Sequence, residues 1–170
     1  KKIGVLLTGE LSGWTAPKDV ILYLAGQLSV SGGTNSTIEY IGPGTKSISC
    51  TGKATITNMG AELGATTSIF PYDDRMKRYL QATDRSELAN LADSNKDLLQ
   101  PDQETELAPE KYFDSVVEIN LSNLEPHVVG PHSPDRSRPI SKLASEITDD
   151  SNGFIELIST ALIGSCTNSS

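Results

Sequence analysis

An amide and a carboxylate, Asn58 and Glu62, stand four residues apart in A-T-I-T-N-M-G-A-E-L-G-A-T-T-S, from Ala54 to Ser68, and are the first candidates for chemistry. If Asn58 opens a helix by accepting an early backbone N–H, Glu62 follows four residues later on the same face. An amide and a carboxylate would then project together. Gly60, Ala61, Gly64 and Ala65 keep the surroundings thin, leaving room for another backbone, a substrate or a bulky inorganic group. The same pattern describes a small-residue helix packed tightly on a sheet, the plainer reading of local spacing alone.

Cys166 is the other candidate, because it follows Ala161 to Ile163, an apolar run that reads as a strand, and sits among Gly, Ser, Thr and Asn. There a thiolate is exposed enough to ligate a metal, with donors beside it that can hydrogen-bond the sulfur. One cysteine does not hold a cluster by itself. Cys50, in S-I-S-C-T-G, reads as a small core residue. His127 and His132 lie five residues apart in a Pro-rich stretch, which is not the helical pairing of a zinc site, and read as surface or packing histidines. Gly32-Gly33-Thr34 follows a helix instead of opening one and lacks a Lys to reach a phosphate, so it reads as a turn. Arg75, Lys77 and Arg78 cluster, but Asp73 and Asp74 offset them, and a solvated helix face is expected in place of an anion site.

The elements that must position these residues follow from periodicity. Ile3 to Leu7, Thr37 to Ile41, Ser68 to Phe70 and Val116 to Leu121 read as strands, and Ala54 to Thr57 as a short strand or turn. Helices are expected after Thr15-Ala16-Pro17, with Thr15 as the capping hydroxyl, and over Asp73 to Gln81 with Met76, Tyr79 and Leu80 inward. Another should follow Asp84-Arg85-Ser86-Glu87, a capping box of the Asp form. Ser94 to Lys111 is polar and reads as a surface excursion. Pro126, Pro131, Pro134 and Pro139 predict an irregular connection, and Ile140 to Ile147 a short amphipathic helix. The sum is an α/β fold, layered α/β/α around a mostly parallel sheet. Residues 1–123 form one domain, 124–139 a connection, and 140–170 the opening elements of a second α/β domain.

Composition bounds the partners. With 36% hydrophobic and 21% charged residues in 170, the chain is of globular type and long enough to bury a core. A formal charge of -8 repels phosphate backbones, which argues against nucleic acid. No apolar run approaches the eighteen or so residues of a membrane span, so no membrane partner is expected. Two cysteines far apart make no disulfide framework, and a reducing compartment is the expectation. Lys1-Lys2-Ile3 and the small polar residues up to Ser170 suggest a piece of a longer polypeptide.

Three stretches taken together are specific: Gly9 to Leu22 (G-E-L-S-G-W-T-A-P-K-D-V-I-L), Ser49 to Tyr72, and Leu162 to Ser170 (L-I-G-S-C-T-N-S-S). The sequence strongly resembles the aconitase family, of the mitochondrial type shared with some bacteria, and E-I-N-L-S-N-L-E-P-H and G-P-H-S-P-D extend the resemblance through nearly the whole chain. That resemblance implies a 4Fe-4S hydro-lyase that interconverts citrate and isocitrate through cis-aconitate. It makes Cys166 the first of three cluster cysteines, with a C-x-x-C expected further along the polypeptide. It also makes Glu62 the group that meets the hydroxyl or water on the open iron, and Asn58 the hydrogen-bond donor that orients it. The serine that removes the substrate proton and the carboxylate-binding arginines belong to regions outside this sequence, and this segment alone should be catalytically silent.

Thr57 stands where many animal and fungal relatives carry a non-ligand Cys, and His132 where Phe is common. The first departure points to another branch, and the second to a packing change. A monomer in the mitochondrial matrix or bacterial cytoplasm is implied for the full-length protein. The alternatives are a hydro-lyase acting on homoaconitate, 2-methylcitrate or isopropylmalate and, more remotely, an RNA-binding iron-regulatory relative.

Overall fold

Along β1 (Lys2–Thr8), Ile3, Val5 and Leu7 alternate with Gly4 and Leu6, and this period of two decides which side chains enter which layer. In the computed structural model, which describes residues 1–147 and 157–162, β1 is flanked on both sides by parallel neighbours. These are β2 (Thr37–Ile41) and β4 (Ser115–Asn120), and with β3 (Thr67–Ile69) they make a four-stranded sheet in the order β3-β2-β1-β4. The register sets Val5 beside Tyr40 and Val117, and Leu7 beside Ile119, so one face of the sheet is apolar.

That face is covered by α1 (Pro17–Leu28) and α2 (Cys50–Asn58), whose Val20, Ile21, Leu24 and Ile56 join the same buried cluster. Full burial of each such side chain contributes roughly 1.5–3 kcal/mol. Both helices lie on one face because successive right-handed crossovers step across the sheet in one direction. The chain then returns to β4 on the far side of β1. It carries α3 (Asp74–Ala82), α4 (Ser86–Ser94) and α5 (Gln103–Leu107), and it ends with Phe113 pressed on Gly4, where a Cβ would stand 2.7 Å from the ring. The expected α/β/α layering with a parallel sheet is what forms.

Several local expectations are corrected. Thr15 does not cap α1: its hydroxyl donates to the Leu124 carbonyl at 2.9 Å, while the Asp19 carboxylate accepts the Ala16 N–H at 2.7 Å. Asp73 does cap α3, accepting from Arg75 and Met76. Asp84 does not cap α4, since it sits at φ 58° and the helix starts behind Arg85 with no side-chain cap. Tyr79 lies exposed, not inward. Residues 94–111 lie mostly at the surface as expected, and they contain α5 and two short 3-10 turns.

The Pro-rich stretch is also regular in part. β5 (His127–Val129) and β6 (Ser137–Pro139) pair antiparallel, because three of the four prolines fall outside the strands and Pro139 ends the second. The pair docks on α1, with the His127 N–H donating to Asp19 at 2.8 Å and the Val30 N–H to Asp135 at 3.2 Å. α6 (Ile140–Ile147) follows directly, as its pattern predicted. Ala161 and Leu162 belong to no strand, and Ile163 lies outside the described residues.

Candidate functional site

The stretch around Asn58 is built differently from the sequence expectation. Helix α2 starts at Cys50, and Asn58 ends it instead of opening it. The helix is capped by the Ser49 hydroxyl, which accepts from the Gly52 N–H at 3.0 Å. Its Thr and Ile residues suggested a strand, but burial of Lys53, Thr55 and Ile56 against the core overrides that preference. The threonines also satisfy their hydroxyls inside the helix: Thr55 donates to the Thr51 carbonyl and Thr57 to that of Ala54, each at 3.1 Å.

Asn58 retains helical angles, φ -62° and ψ -42°, and the chain tightens at once into a 3-10 turn over Met59–Leu63. The tightening changes the geometry of the pair. Four residues advance by about 40° around an α-helix but by about 120° around a 3-10 helix, so Asn58 and Glu62 diverge more than one helical face allows. Both are exposed, as is Ala61, whereas Gly60 and Leu63 are buried. Gly60 is needed because a Cβ there would stand 2.5 Å from the Ser68 hydroxyl. Gly64 ends the turn in the left-handed region at φ 74°, which favours glycine. The tight-packing expectation therefore holds for Gly60 and Gly64, while the polar groups face outward from the same turn.

The turn sits at the edge of the sheet where the strands begin. Gly33 donates to the Leu63 carbonyl at 2.9 Å and Thr66 to that of Ser36, both just before β2. Ligands of open α/β sheets more often bind at the other edge, at the switch point between β1 and β4. Here that crevice is closed: the Glu10 N–H donates to the Ser122 hydroxyl at 3.1 Å, and that hydroxyl donates back to the Glu10 carbonyl at 3.3 Å.

The remaining candidates separate cleanly. Cys50 is the first residue of α2, at the opposite end from Asn58. Burial pushes its thiol up; the opposing pull of Lys53 and Arg85 and the added push of Asp73 are smaller or mutually offset. It is not activated as a nucleophile or ligand. His127 packs its ring edge-on to Tyr23 at 5.7 Å and donates from Nδ1 to the Glu125 carbonyl at 2.6 Å, as a packing histidine should. His132 is exposed at φ 71°, between β5 and β6. Cys166 lies outside the described residues, and among those described no group of three His, Cys, Asp or Glu is arranged to hold a metal ion.

Sequence reasoning missed one buried ionic centre. Lys53 is only 2% exposed and pairs with Asp73, the same carboxylate that caps α3. Its ammonium lies 5.9 Å from the Phe70 ring centroid, and Phe70 stacks on Tyr40 at 4.3 Å. Burial raises the Tyr40 hydroxyl well above its ordinary range. The one hint in the sequence was a charged residue amid the small and apolar positions of α2.

The model of the aconitase family (aconitate hydratase) matches residues 1–170, the full length of the sequence. The chain belongs to the aconitase family. A mitochondrial aconitate hydratase of Emericella nidulans is 54% identical over 170 residues, covering 100% of this chain and 21% of the relative. That of Gracilaria gracilis is 52% identical over 170 residues with the same coverage, and a probable one of Dictyostelium discoideum 51%. The chain thus spans about a fifth of the length of the curated relatives it matches. The family's enzymes use a 4Fe-4S cluster. The described residues suit the wall of such a site and not its ligand set: an exposed amide and an exposed carboxylate on one turn, with the single described cysteine held inert elsewhere.

Proposed function

We infer that this chain is a segment of an aconitate hydratase, a hydro-lyase that interconverts citrate and isocitrate through cis-aconitate by removing and re-adding water. The observation that carries this reading is the family match over all 170 residues, with N-M-G-A-E presenting Asn58 and Glu62 to the exterior of the segment. The cluster, when bound, supplies a Lewis-acid iron that weakens the bond to the departing hydroxyl. Cys166 is its first thiolate, and the other two come from a C-x-x-C elsewhere in the polypeptide.

The chain's own groups then have defined tasks. As the carboxylic acid, Glu62 gives its proton to the substrate hydroxyl as it leaves as water, and on rehydration the resulting carboxylate takes a proton back from the water that adds. The Asn58 amide N–H donates to the same oxygen and holds it in line. The greater divergence imposed by the 3-10 turn suits two groups that converge on a ligand lying across the turn instead of touching each other. The proton-abstracting serine and the cationic carboxylate contacts come from the rest of the polypeptide, so the formal charge of -8 is no obstacle to a tricarboxylate.

On this reading residues 1–123 form one α/β domain, 124–139 connect it, and 140–170 open the next. The full-length protein is a monomer on this reading, of the mitochondrial matrix or a bacterial cytoplasm, and the names of the relatives favour mitochondria. Homoaconitate, 2-methylcitrate and isopropylmalate are less favoured substrates because G-A-E-L-G-A-T-T-S follows the aconitase pattern. RNA binding is disfavoured by the acidic balance.

The test is reconstitution of the full-length protein with iron and sulfide. Cys166→Ser should lose both cluster absorbance and citrate turnover, while Cys50→Ser keeps both. A cluster retained by Cys166→Ser would contradict the assignment.

A further inference from the structure

At the far end of α2 from Asn58, three elements bring cations together. Lys46 comes from the 3-10 turn Pro43–Ser47 after β2, Arg75 and Arg78 from α3, and Lys96 from the 3-10 turn Lys96–Leu99. They line a cleft of about 340 Å³ with Tyr72 and Gln100. The sequence favoured a solvated face here because Asp73 and Asp74 offset the charge, and the structure changes that balance. Asp73 is committed to buried Lys53 and to two backbone N–H groups of α3. Among the described residues the Asp74 carboxylate reaches only Lys96, at 3.4 Å. Among the described residues no carboxylate pairs with Lys46, Arg75 or Arg78, in a chain whose formal charge is -8.

The guanidinium groups are also oriented. Arg75 donates from Nε to the Lys46 carbonyl at 2.8 Å, which ties two walls of the cleft together, and Arg78 donates from Nε to the Asp74 carbonyl at 3.2 Å. Each uses its inner nitrogen and keeps the outer pair, the edge that binds an oxyanion. The floor is fixed as well, since the Gln100 amide donates to the Tyr72 carbonyl and the Tyr72 N–H donates to the Leu99 carbonyl at 3.0 Å.

We propose that this cleft binds a small polyanion, a phosphate or polycarboxylate carrying two or more negative charges. Lys46, Arg75 and Arg78 provide the contacts, and Lys96 closes the rim when Asp74 releases it. The site is separate from Asn58 and Glu62, neither of which lines the cleft. Its failure would leave the hydro-lyase reading untouched.

Calorimetric titration of the full-length protein at low ionic strength tests it, with pyrophosphate and benzene-1,3,5-tricarboxylate as separate probes. At least one probe should bind saturably, and the Arg75→Gln/Arg78→Gln variant should weaken that binding about tenfold or more. Lys46→Gln, whose side chain makes no hydrogen bond among the described residues, should also weaken it, separating lost contacts from misfolding. The probe that shows this dependence identifies the class, phosphate or carboxylate, and both responding equally supports the shared oxyanion chemistry. No saturable binding of either probe, or binding unaffected by both variants, would overturn the proposal.

Discussion

Gly60 lies so close to Ser68 that a Cβ on the glycine would stand 2.5 Å from the serine hydroxyl, and that hydroxyl is buried without a hydrogen-bond partner among the described residues. This contact fixes the turn that carries Glu62 against the edge strand β3. Gly60→Ala should destabilise the fold by about 1–3 kcal/mol, the usual cost of overpacking. Ser68→Ala removes the obstructing oxygen, so the double variant should recover most of the loss. Denaturant unfolding of the four proteins measures the coupling, and additive losses would show that the contact is not what holds the turn.

The Lys53–Asp73 pair predicts an asymmetry. Asp73→Ala removes the cap of α3 and leaves a buried ammonium unpaired, which should cost about 3–5 kcal/mol. Lys53→Met should cost much less, because Asp73 retains its two N–H donors and the methionine suits the apolar site. Thermal unfolding of the two variants checks the order. Equal losses would mean that pairing, and not capping with burial, dominates.

Asp135 couples the β5–β6 pair to α1 in a pH-dependent way. The Ser133 hydroxyl and then the Val30 N–H hold its carboxyl below the ordinary aspartate range. A depressed folded value means that the stabilisation is present above the unfolded pKa, roughly 3.9, and is lost as pH falls through the folded value. Exchange of the Val30 amide should therefore quicken only under strongly acid conditions. In Asp135→Asn it should be faster at neutral pH too. Unchanged exchange in that variant would remove Asp135 from the docking.

Much of the fold was legible because strand and helix periods differ. The apolar run Ile3 to Leu7 announces a buried strand, and Val20, Ile21 and Leu24 a helix that covers it. The α2 stretch misled because Thr and Ile favour strands, while the burial that makes it a helix depends on residues distant in sequence. The role of Asp73 was not legible: the sequence reading set it inside the helix as an offset to the cations, whereas it caps α3 and pairs with Lys53, 20 residues earlier. The same limit hid the cationic cleft, since Lys46 and Lys96 reach Arg75 and Arg78 only through the fold. Asn58 and Glu62 carried no local mark beyond their spacing, and the family resemblance supplied their roles. The structure sets both side chains at the surface where α2 passes into the 3-10 turn, with Gly60 buried and Gly64 exposed.

The most direct measurement is citrate turnover by full-length Glu62→Gln at cluster content matched to the unsubstituted protein. Glutamine fills the same space and retains a hydrogen-bonding oxygen but does not exchange the proton. Turnover should fall by about 10²-fold or more, the usual contribution of a general acid–base group, with the cluster spectrum unchanged. Turnover within a few-fold of the unsubstituted protein would contradict the placement of this turn at the reacting centre.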